Sequence, residues 1–353
     1  MADSKPIKIG LAGLGRAGRG MHIRELEARK DKFQVEAVCD VIEERRNQLA
    51  EQLGCKAYAN VKDLIVDPDV EMVDIATRSC DHYDHAKMAL EAGKDVFLEK
   101  PMTCTYKEAV SLRDISKGSE GNLYIRQNRR FEPGFQHIRE IMASGILGDI
   151  YEIKLRRVSY SRRDDWQTII EFGGGQLLNW GPHIIDHGLQ FLDSPLKDIW
   201  SELKLIAAVG DAEDHLKIIL KGENDRIVDL EISGGAAISE PEYLLWGTKG
   251  ALKCAGNKIT MKYLDPNAEL APRKLNPGTP EGGFGSPDSL PWIEENIDVN
   301  PQKKVSMSGI WDELYKAVRE DIPFPVKLDE AVEIMKVVSA AKEDTEFYYA
   351  GRV

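Results

Sequence analysis

The sequence lacks the features that mark membrane-spanning and disulfide-stabilised proteins. No run of roughly 18 apolar residues occurs in its 353 residues, so we expect no membrane-spanning helix and no membrane partner. No two of its cysteines form a CxxC pair; the five are Cys39, Cys55, Cys80, Cys104 and Cys254. An odd number without such pairs is typical of reduced thiols in a cytoplasmic protein rather than of a disulfide framework or a zinc site.

Positive charge is also in short supply. The chain has 47 Lys and Arg against 59 Asp and Glu, a formal net charge of -12. Charge of this sign repels polyphosphate backbones, so we expect no nucleic-acid partner. The residues before Ile7 lack the apolar core of a signal peptide, and we expect no export by that route. The remaining composition, 42% hydrophobic and 30% charged, is typical of a globular protein, and the length favours two domains.

The first 125 or so residues alternate short apolar runs with helical patterns. The apolar runs that we predict as strands are Ile7–Ala12, Val35–Cys39, Met72–Ala76, Asp95–Leu98 and Asn122–Arg126. Strands separated by helices of about 10–15 residues indicate βαβ units and a parallel sheet. We therefore predict an α/β domain over residues 1–127.

After residue 130 the predicted strands follow one another without helices between them. They are Tyr151–Tyr160, Ile199–Val209, His215–Lys221, Ile227–Ser233, Tyr243–Gly247, Ala251–Cys254 and Ile259–Tyr263. This order indicates a mainly antiparallel sheet in an α+β domain over residues 128–353. Leu264–Pro301 is rich in Pro and Gly and is predicted as a long surface excursion. We predict a last helix at about 329–342, with packing against the first domain as one arrangement open to it.

A glycine motif follows the first predicted strand and opens a helix. Residues 13–18 read Gly13-Leu14-Gly15-Arg16-Ala17-Gly18, which fits GxGxxG. Gly13 permits a tight turn, Gly15 lets the backbone approach a pyrophosphate, and Gly18 lets the helix and strand pack closely. The helix N-terminus adds free N–H groups for phosphates. This context predicts a dinucleotide site.

Asp40 ends the second predicted strand, 22 residues after Gly18. Its carboxylate is placed to accept hydrogen bonds from ribose hydroxyls and to repel a 2′-phosphate. We therefore predict NAD as the cofactor, with NADP as the less favoured alternative because Arg45 and Arg46 lie close by.

Several further motifs occur in a fixed order along the chain. They are Ile75-Ala76-Thr77 with His82, Ala89 to Lys94, Glu99-Lys100-Pro101, Asn128 to Phe131, Gly145 to Gly148, Gly173-Gly174-Gly175 leading to His183, and Phe324-Pro325-Val326. Together with the glycine motif they resemble the glucose–fructose oxidoreductase/inositol dehydrogenase/MocA family over nearly the whole chain. The resemblance implies an N-terminal Rossmann domain, with a doubly wound parallel sheet, and a C-terminal open antiparallel sheet domain. It places the active site in the cleft between them.

Three residues are the catalytic candidates: Lys100, His183 and Asn179. Lys100 lies just past the carboxyl end of a parallel strand, where α/β sheets bind ligands, and the lysine that it matches in the family is catalytic. In the resembling enzymes an aspartate stands four residues before the acid/base histidine, whereas this chain has Asn179. An amide cannot stabilise an imidazolium as a carboxylate would, which leaves a different substrate or acid/base arrangement open. Asp186 is a possible replacement.

The remaining candidates line the predicted cleft. We expect Thr77, Arg78, His82, Glu99 and Asn128 to line the cofactor, with a capping or packing role as the alternative for His82. The candidates for substrate contact are Lys100, Asn179, His183, Arg129, Tyr160, Arg163 and Trp166. The resemblance places Tyr160, Arg163 and Trp166 at the cleft mouth, with a solvated loop and one core tryptophan as the alternative. Arg129 follows the last strand of the first domain and is expected on the nicotinamide side of the cleft. His183 and His187 are spaced i, i+4, but no third ligand is evident and we predict no metal site.

The sequence therefore predicts an NAD-dependent oxidoreductase that moves a hydride to or from a hydroxyl-bearing carbon of a sugar, inositol or glycoside. Two alternatives remain open. One is a glycoside lyase or hydrolase in which NAD is recycled in place, and the other is a non-catalytic NAD-binding regulatory protein. The broad antiparallel sheet has a face that suits a second subunit, so we also expect a homo-oligomer.

Overall fold

The computed structural model describes residues 5–279, Gly282, Gly285 and residues 288–351. These residues form two separate sheets, one of six strands and one of eight. The predicted fold class, a doubly wound parallel sheet followed by a mainly antiparallel sheet, is confirmed.

The first sheet is parallel throughout, with the strand order β3-β2-β1-β4-β5-β6. Its strands are β1 (Ile7–Ala12), β2 (Phe33–Cys39), β3 (Lys56–Tyr58), β4 (Met72–Ile75), β5 (Asp95–Glu99) and β6 (Leu123–Arg126). The chain order reverses beside β1, so the carboxyl ends of β1 and β4 flank a topological switch point, where such sheets bind ligands. The short β3 was not predicted, since three residues carry too little periodicity.

Helices cover both faces of this sheet. Gly18–His22 forms a π-helical turn that continues into α1 (Ile23–Glu27). The other helices of this domain are α2 (Glu43–Leu53), α3 (Val61–Ile65), α4 (His82–Glu91) and α5 (Tyr106–Gly118). Gly54 ends α2 in the left-handed conformation, and a capping box of Thr105 and Glu108 begins α5.

The second sheet has the order β14-β13-β12-β11-β7-β10-β9-β8. Its strands are β7 (Ile150–Val158), β8 (Leu196–Lys204), β9 (His215–Gly222), β10 (Ile227–Ser233), β11 (Tyr243–Gly247), β12 (Gly250–Ala255), β13 (Lys258–Leu264) and β14 (Trp292–Asp298). Only the central β7–β10 pair is parallel; the other neighbours are antiparallel. The prediction of a long surface excursion over Leu264–Pro301 is wrong in part, because Trp292–Asp298 pairs with β13 as the edge strand β14, with Ile293 and Ile297 half-buried. Part of that segment lies outside the described residues.

Helices of the second half pack on one face of this sheet and on the first domain. They are α6 (Pro133–Ser144), α7 (Gln176–Asn179), α8 (Gly181–Leu192), α9 (Ile310–Arg319) and α10 (Leu328–Lys342). α10 contacts both α5 and α8, and Ser339 accepts a hydrogen bond from the Tyr106 amide at 2.7 Å. α9 lies on the first sheet, where the Trp311 ring meets Phe97 and Phe33 at 4.7 and 5.4 Å. The sequence predicted that α10 could pack back on the first domain, but it did not predict that α9 does so as well.

Candidate active site

The glycine loop connects β1 to the π-helical turn at the switch point. Gly13 has a φ of +93°, and a Cβ there would lie 2.5 Å from the Ala76 carbonyl oxygen. A Cβ on Gly18 would collide with the Gly13 carbonyl. At Gly15, by contrast, no described atom lies within 4 Å of the Cβ position. Two of the glycines are therefore required by the fold, and the third leaves open space for a group that approaches the backbone.

Asp40 lies directly beyond β2 and beside this loop. Its Oδ2 accepts a hydrogen bond from the Leu14 amide at 2.8 Å, and its Oδ1 accepts one from the Ile42 amide at 2.8 Å. Arg46 donates to the main-chain oxygens of Asp40 and Val41 and lies 3.9 Å from the Glu43 carboxylate, so it does not pair with the Asp40 carboxylate. The carboxylate thus has a fixed orientation and keeps lone pairs for further donors.

The loop after β4 lies opposite the glycine loop. Thr77 is partly buried and its hydroxyl is 3.1 Å from His85 Nδ1, while the exposed Arg78 guanidinium stacks 4.3 Å from the Phe172 ring. His82 is buried, with Nδ1 at 2.7 Å from the Pro101 carbonyl oxygen and Nε2 at 3.2 Å from that of Thr77. His82 therefore joins the loops after β4 and β5, the packing arrangement that the sequence left open for it.

Lys100 follows β5 and precedes a cis peptide bond to Pro101. Its Nζ donates a hydrogen bond to the main-chain oxygen of Asn179 at 2.9 Å, across the boundary between the two sheets' domains. Burial lowers the pKa of Lys100, the Glu99 carboxylate opposes that change, and the Arg129 guanidinium adds to it. The ammonium thus releases its proton more readily than an ordinary lysine.

Glu99 is buried beneath Lys100 and is held from several sides. Its Oε1 lies 3.0 Å from His22 Nε2 and accepts a hydrogen bond from Arg126 at 2.8 Å; its Oε2 accepts one from the Lys100 amide at 3.1 Å. Burial opposes ionisation, but Arg126 and His22 hold the pKa of Glu99 well below its ordinary value. Glu99 is therefore an ionised anchor under the lysine.

His183 lies in the first turn of α8, on the opposite side of Lys100. Its side chain is buried, and Nδ1 has no hydrogen-bond partner among the described residues. Burial lowers the pKa of His183 well below its ordinary value, and the charges of Lys100 and Arg129 lower it further. The ring is neutral at physiological pH and can accept a proton. An unpartnered buried nitrogen is costly unless a ligand or water reaches it.

Asn179 contributes differently from the family's aspartate. Its main-chain oxygen holds Lys100, and its Oδ1 accepts a hydrogen bond from Gln167 Nε2 at 3.3 Å. Next to it the Trp180 ring contacts the Arg129 guanidinium at 4.2 Å and the His183 ring at 6.0 Å. The structure thus brings together the side chains of Lys100, His183 and Arg129 with the main chain of Asn179. The Asn179 side-chain amide instead faces Gln167.

Asp186 does not replace the family's aspartate. Both of its oxygens accept hydrogen bonds from Arg130, at 2.6 to 3.1 Å. His187, the other histidine of α8, has Nε2 at 2.9 Å from the Arg129 carbonyl and Nδ1 at 3.3 Å from the Tyr243 hydroxyl, and it stacks on Phe135 at 4.0 Å. Burial lowers the pKa of His187 to about 4. Asp186 and His187 therefore have all of these partners within the second domain, and neither side chain is directed to Lys100.

The segment after β7 forms the outer wall. Arg163 donates to both oxygens of Asp165 at 2.9 Å and to Gln167 Oε1 at 2.6 Å, which connects it to Asn179 through Gln167. A cavity of about 160 Å³ lies here, and its polar walls include Ser159, Ser161, Arg163, Gln167, Gln176 and Glu213. Tyr160 is 61% exposed and pairs only through an isolated bridge to Gly235, and Trp166 is partly buried at the start of a short 3-10 helix. Asn128 is buried in the turn after β6.

Sequence reasoning missed the buried and partly buried residues that form polar contacts under Lys100. They are His22, Glu25, Asp74, Arg126 and Trp311. A signal was available for two of them, since His22 lies one turn after Gly18 on the face toward the sheet and Asp74 interrupts an apolar strand. Trp311 lies far away in the sequence and gives no local signal.

The comparisons with known proteins agree with this geometry. A model described as an oxidoreductase family with an NAD-binding Rossmann fold matches residues 7–125, and the GFO/IDH/MocA C-terminal domain model matches residues 135–253. The fold and the glycine loop thus define an NAD(P)-binding, two-domain oxidoreductase. More closely, the chain belongs to the GFO/IDH/MocA family. Within the described residues no helix has the length and apolar character needed to cross a membrane.

Two relatives and one solved structure illustrate the similarity. The chain is 31% identical over 201 residues to D-glucoside 3-dehydrogenase of Escherichia coli, covering 54% of this chain and 56% of that protein. It is 23% identical to the NADP(+)-linked scyllo-inositol 2-dehydrogenase IolW of Bacillus subtilis, covering 96% and 94%. An NAD-binding protein from Listeria innocua has the same fold, with a TM-score of 0.82, 24% identity and coverage of 97% and 98%.

Proposed function

We propose that this protein is an NAD-dependent dehydrogenase that oxidises, or in reverse forms, a hydroxyl-bearing carbon of a sugar, inositol or glycoside. The observation that carries the proposal is the contact of Lys100 Nζ with the main chain of Asn179, which sets an ammonium beside the neutral His183 in the cleft. When bound, the nicotinamide accepts or supplies the hydride. The chain supplies orientation and handles the proton.

The glycine loop and Asp40 fit an NAD molecule. The open space at Gly15 admits a pyrophosphate against the backbone, and Asp40 keeps free lone pairs for ribose hydroxyls. The competing observation is a cavity of about 450 Å³ beside this loop, whose walls include Arg16, Arg19 and Arg45. Guanidinium groups suit a 2′-phosphate, and the IolW relative is NADP-linked. We propose NAD because the Asp40 carboxylate lies directly at the end of β2.

Proton transfer falls to Lys100 and His183. A neutral His183 accepts the proton of a substrate hydroxyl, and the Lys100 ammonium donates a hydrogen bond that stabilises the oxygen as charge develops. Burial, reinforced by the charge of Lys100, lowers the pKa of His183 and keeps the imidazole unprotonated before the reaction. Arg129, fixed on Trp180, adds positive potential on the same side.

The substrate class rests on the polar cavity and on the relatives. Hydroxyl, amide, guanidinium and carboxylate groups line the 160 Å³ cavity next to Trp180, which suits a ligand with many hydroxyl groups. Relatives of this chain are named as inositol and glucoside dehydrogenases. Arg163 and Gln167 are the residues that we assign to substrate hydroxyls at the outer end.

The test is a screen of inositols, aldoses and glycosides, with NAD and NADP in parallel, followed by the absorbance of reduced nicotinamide. We expect turnover of at least one polyol, and a higher kcat/KM with NAD than with NADP. Aglycone release from a glycoside without net reduced nicotinamide would instead support in-place recycling of the cofactor. NAD binding with no chemistry on any polyol would contradict the proposal and favour a regulatory role.

We also propose a homo-oligomer in which the outer face of the second sheet pairs with the same face of a second copy. Strand register puts Trp200, Trp246 and Trp292 on that face, and they are 54%, 37% and 42% exposed. Lysines and glutamates alternate across it, which suits two-fold pairing. Light scattering after size exclusion should give a multiple of the 39.6 kDa chain and a smaller mass for Trp200→Glu. A wild-type monomer would contradict it.

The cysteines fit a reducing, cytoplasmic setting, which we keep as a proposal. None of the five, all of which the structure describes, is joined in a disulfide, and burial raises the pKa of the Cys39 thiol to about 12. Such thiols pack as small apolar side chains and are poor nucleophiles.

A further inference from the structure

A buried histidine lies between two carboxylates beneath Lys100. His22 is fully buried, with Nδ1 at 2.8 Å from Asp74 Oδ2 and Nε2 at 3.0 Å from Glu99 Oε1. A neutral imidazole has a single N–H, so it would turn a lone pair toward one of these carboxylates. The doubly protonated ring donates to both. Burial lowers the pKa of His22, but the charge of Asp74 and the two hydrogen bonds outweigh it and raise the value to about 8.

Glu99 is shared between His22 and Lys100. The Glu99 carboxylate accepts a hydrogen bond from His22 and another from the Lys100 amide. Its negative charge favours the ammonium form of Lys100. Any partner that neutralises Glu99 weakens this attraction. A charge on His22 therefore acts on Lys100 in two ways of the same sign, by direct repulsion and through Glu99.

The surrounding groups complete the charge balance. Arg126, on β6, donates to Glu99 at 2.8 Å and to Glu25, on α1, at 2.5 Å. The Trp311 ring, on α9, meets the His22 ring edge-on at 5.5 Å, and its Nε1 donates to Glu25 at 2.7 Å. The two cations His22 and Arg126 face three carboxylates, those of Asp74, Glu99 and Glu25. Lys100 in its charged form brings the cluster to neutrality.

We propose that His22 is a positioning residue that sets how readily Lys100 gives up its proton, acting through Glu99. The inference rests on the proposed role of Lys100 as the ammonium that stabilises the substrate oxygen. While His22 is charged, Glu99 is partly neutralised and Lys100 deprotonates more easily. When His22 loses its proton, Lys100 holds its own more tightly. The two groups therefore titrate as a coupled pair.

The test measures the titration of Lys100 directly and needs neither substrate nor cofactor. The full-length protein is labelled with trace acetic anhydride at a series of pH values, and mass spectrometry of the Lys100 peptide gives its acetylation rate relative to a free amine. Wild type is compared with His22→Gln, with Glu99→Gln and with His137→Gln, a histidine of α6 outside the cleft.

We expect His22→Gln to raise the pKa of Lys100 by roughly half a unit to one unit, and Glu99→Gln to lower it. His137→Gln should leave it unchanged. General loosening of the site would move both cleft variants upward, toward an ordinary lysine, so the opposite directions identify the electrostatic route. In wild type the Lys100 curve should also show a second inflection near pH 8 that His22→Gln removes. That inflection carries the test if Glu99→Gln does not fold.

An unchanged or lowered value in His22→Gln, or a second inflection that persists in it, overturns the inference. The two proposals fail separately. A polyol screen without turnover would contradict the proposed function while the coupling remained measurable. An active enzyme whose Lys100 titrates alike in wild type and His22→Gln would refute only the role of His22. Once a substrate is known, the basic limb of the kcat/KM profile should move upward in His22→Gln with Lys100.

Discussion

The two sides of the cleft treat a buried histidine in opposite ways. On the side of the first sheet, His22 lies between Asp74 and Glu99, and its pKa rises to about 8. On the side of α8, His183 and His187 lie among aromatic rings and guanidinium groups, and the pKa of both falls, that of His187 to about 4. All three rings are almost fully buried.

The difference shows that the neighbours, rather than burial, decide the charge. Burial favours the neutral ring in each case, and only carboxylates at hydrogen-bond distance reverse it. One side of the cleft therefore supplies fixed, paired charge and the other supplies a neutral acceptor. Lys100 bridges them, since it lies on the anchored Glu99 and reaches the main chain before α8.

The largest effect should come from removing Lys100, the cation that connects the charged and neutral sides of the cleft. Lys100→Met should lower kcat/KM by about a hundredfold to ten-thousandfold, because both proton handling and oxygen stabilisation are lost. The readout is reduced-nicotinamide absorbance with a substrate found in the screen. Lys107→Met, on the exposed face of α5, is the matched control and should retain activity. A Lys100→Met enzyme within fivefold of wild type would remove the lysine from the chemistry.

The neutral side of the cleft should weaken in acid. His187 has its pKa lowered from 6.5 to about 4, so its contribution to stability is present above pH 6.5 and is lost as the pH falls toward 4. The loss is about 3 kcal/mol in the free energy of unfolding. Urea melts at pH 7, 5.5 and 4 on wild type and His187→Leu measure it. The variant should lose less stability than wild type, and equal losses would mean that His187 is not held neutral.

The charged side should weaken in mild alkali, by a smaller amount. The pKa of His22 is raised from 6.5 to about 8, so its contribution is fully present below pH 6.5 and is lost as the pH rises through 8. That contribution is about 2 kcal/mol. Urea melts of wild type and His22→Gln between pH 6.5 and 9 should therefore converge. Curves that stay parallel over this range would contradict the protonated state of His22.

More of the fold than of the candidate site could be predicted from the sequence. Both sheets, the glycine loop and most strands followed from periodicity and motifs, because a short apolar run such as β1 or an alternating run such as β7 is typical of a strand. β14 was hidden in a segment rich in Pro and Gly, and the return of α9 to the first sheet depends on tertiary packing alone.

At the site, motifs located residues but not their directions. Lys100 and His183 came out on facing sides of one cleft, whereas Asn179 presents its carbonyl to Lys100 rather than its amide, and Asp186 turns to Arg130. Such orientations depend on which partner each group meets across the domain boundary, and spacing along the chain does not record that. The sequence named Glu99 only as a residue that lines the cofactor, and it gave no place to His22, the histidine that holds Glu99.

The most direct test of the account is a crystal structure of the full chain with NAD and a polyol from the screen. We predict that the pyrophosphate lies against Gly15 and that the nicotinamide ring lies in the cleft, with the substrate hydroxyl within hydrogen-bond distance of Lys100 Nζ and His183. A nucleotide bound away from the glycine loop, or a substrate hydroxyl that contacts neither side chain, would contradict the account.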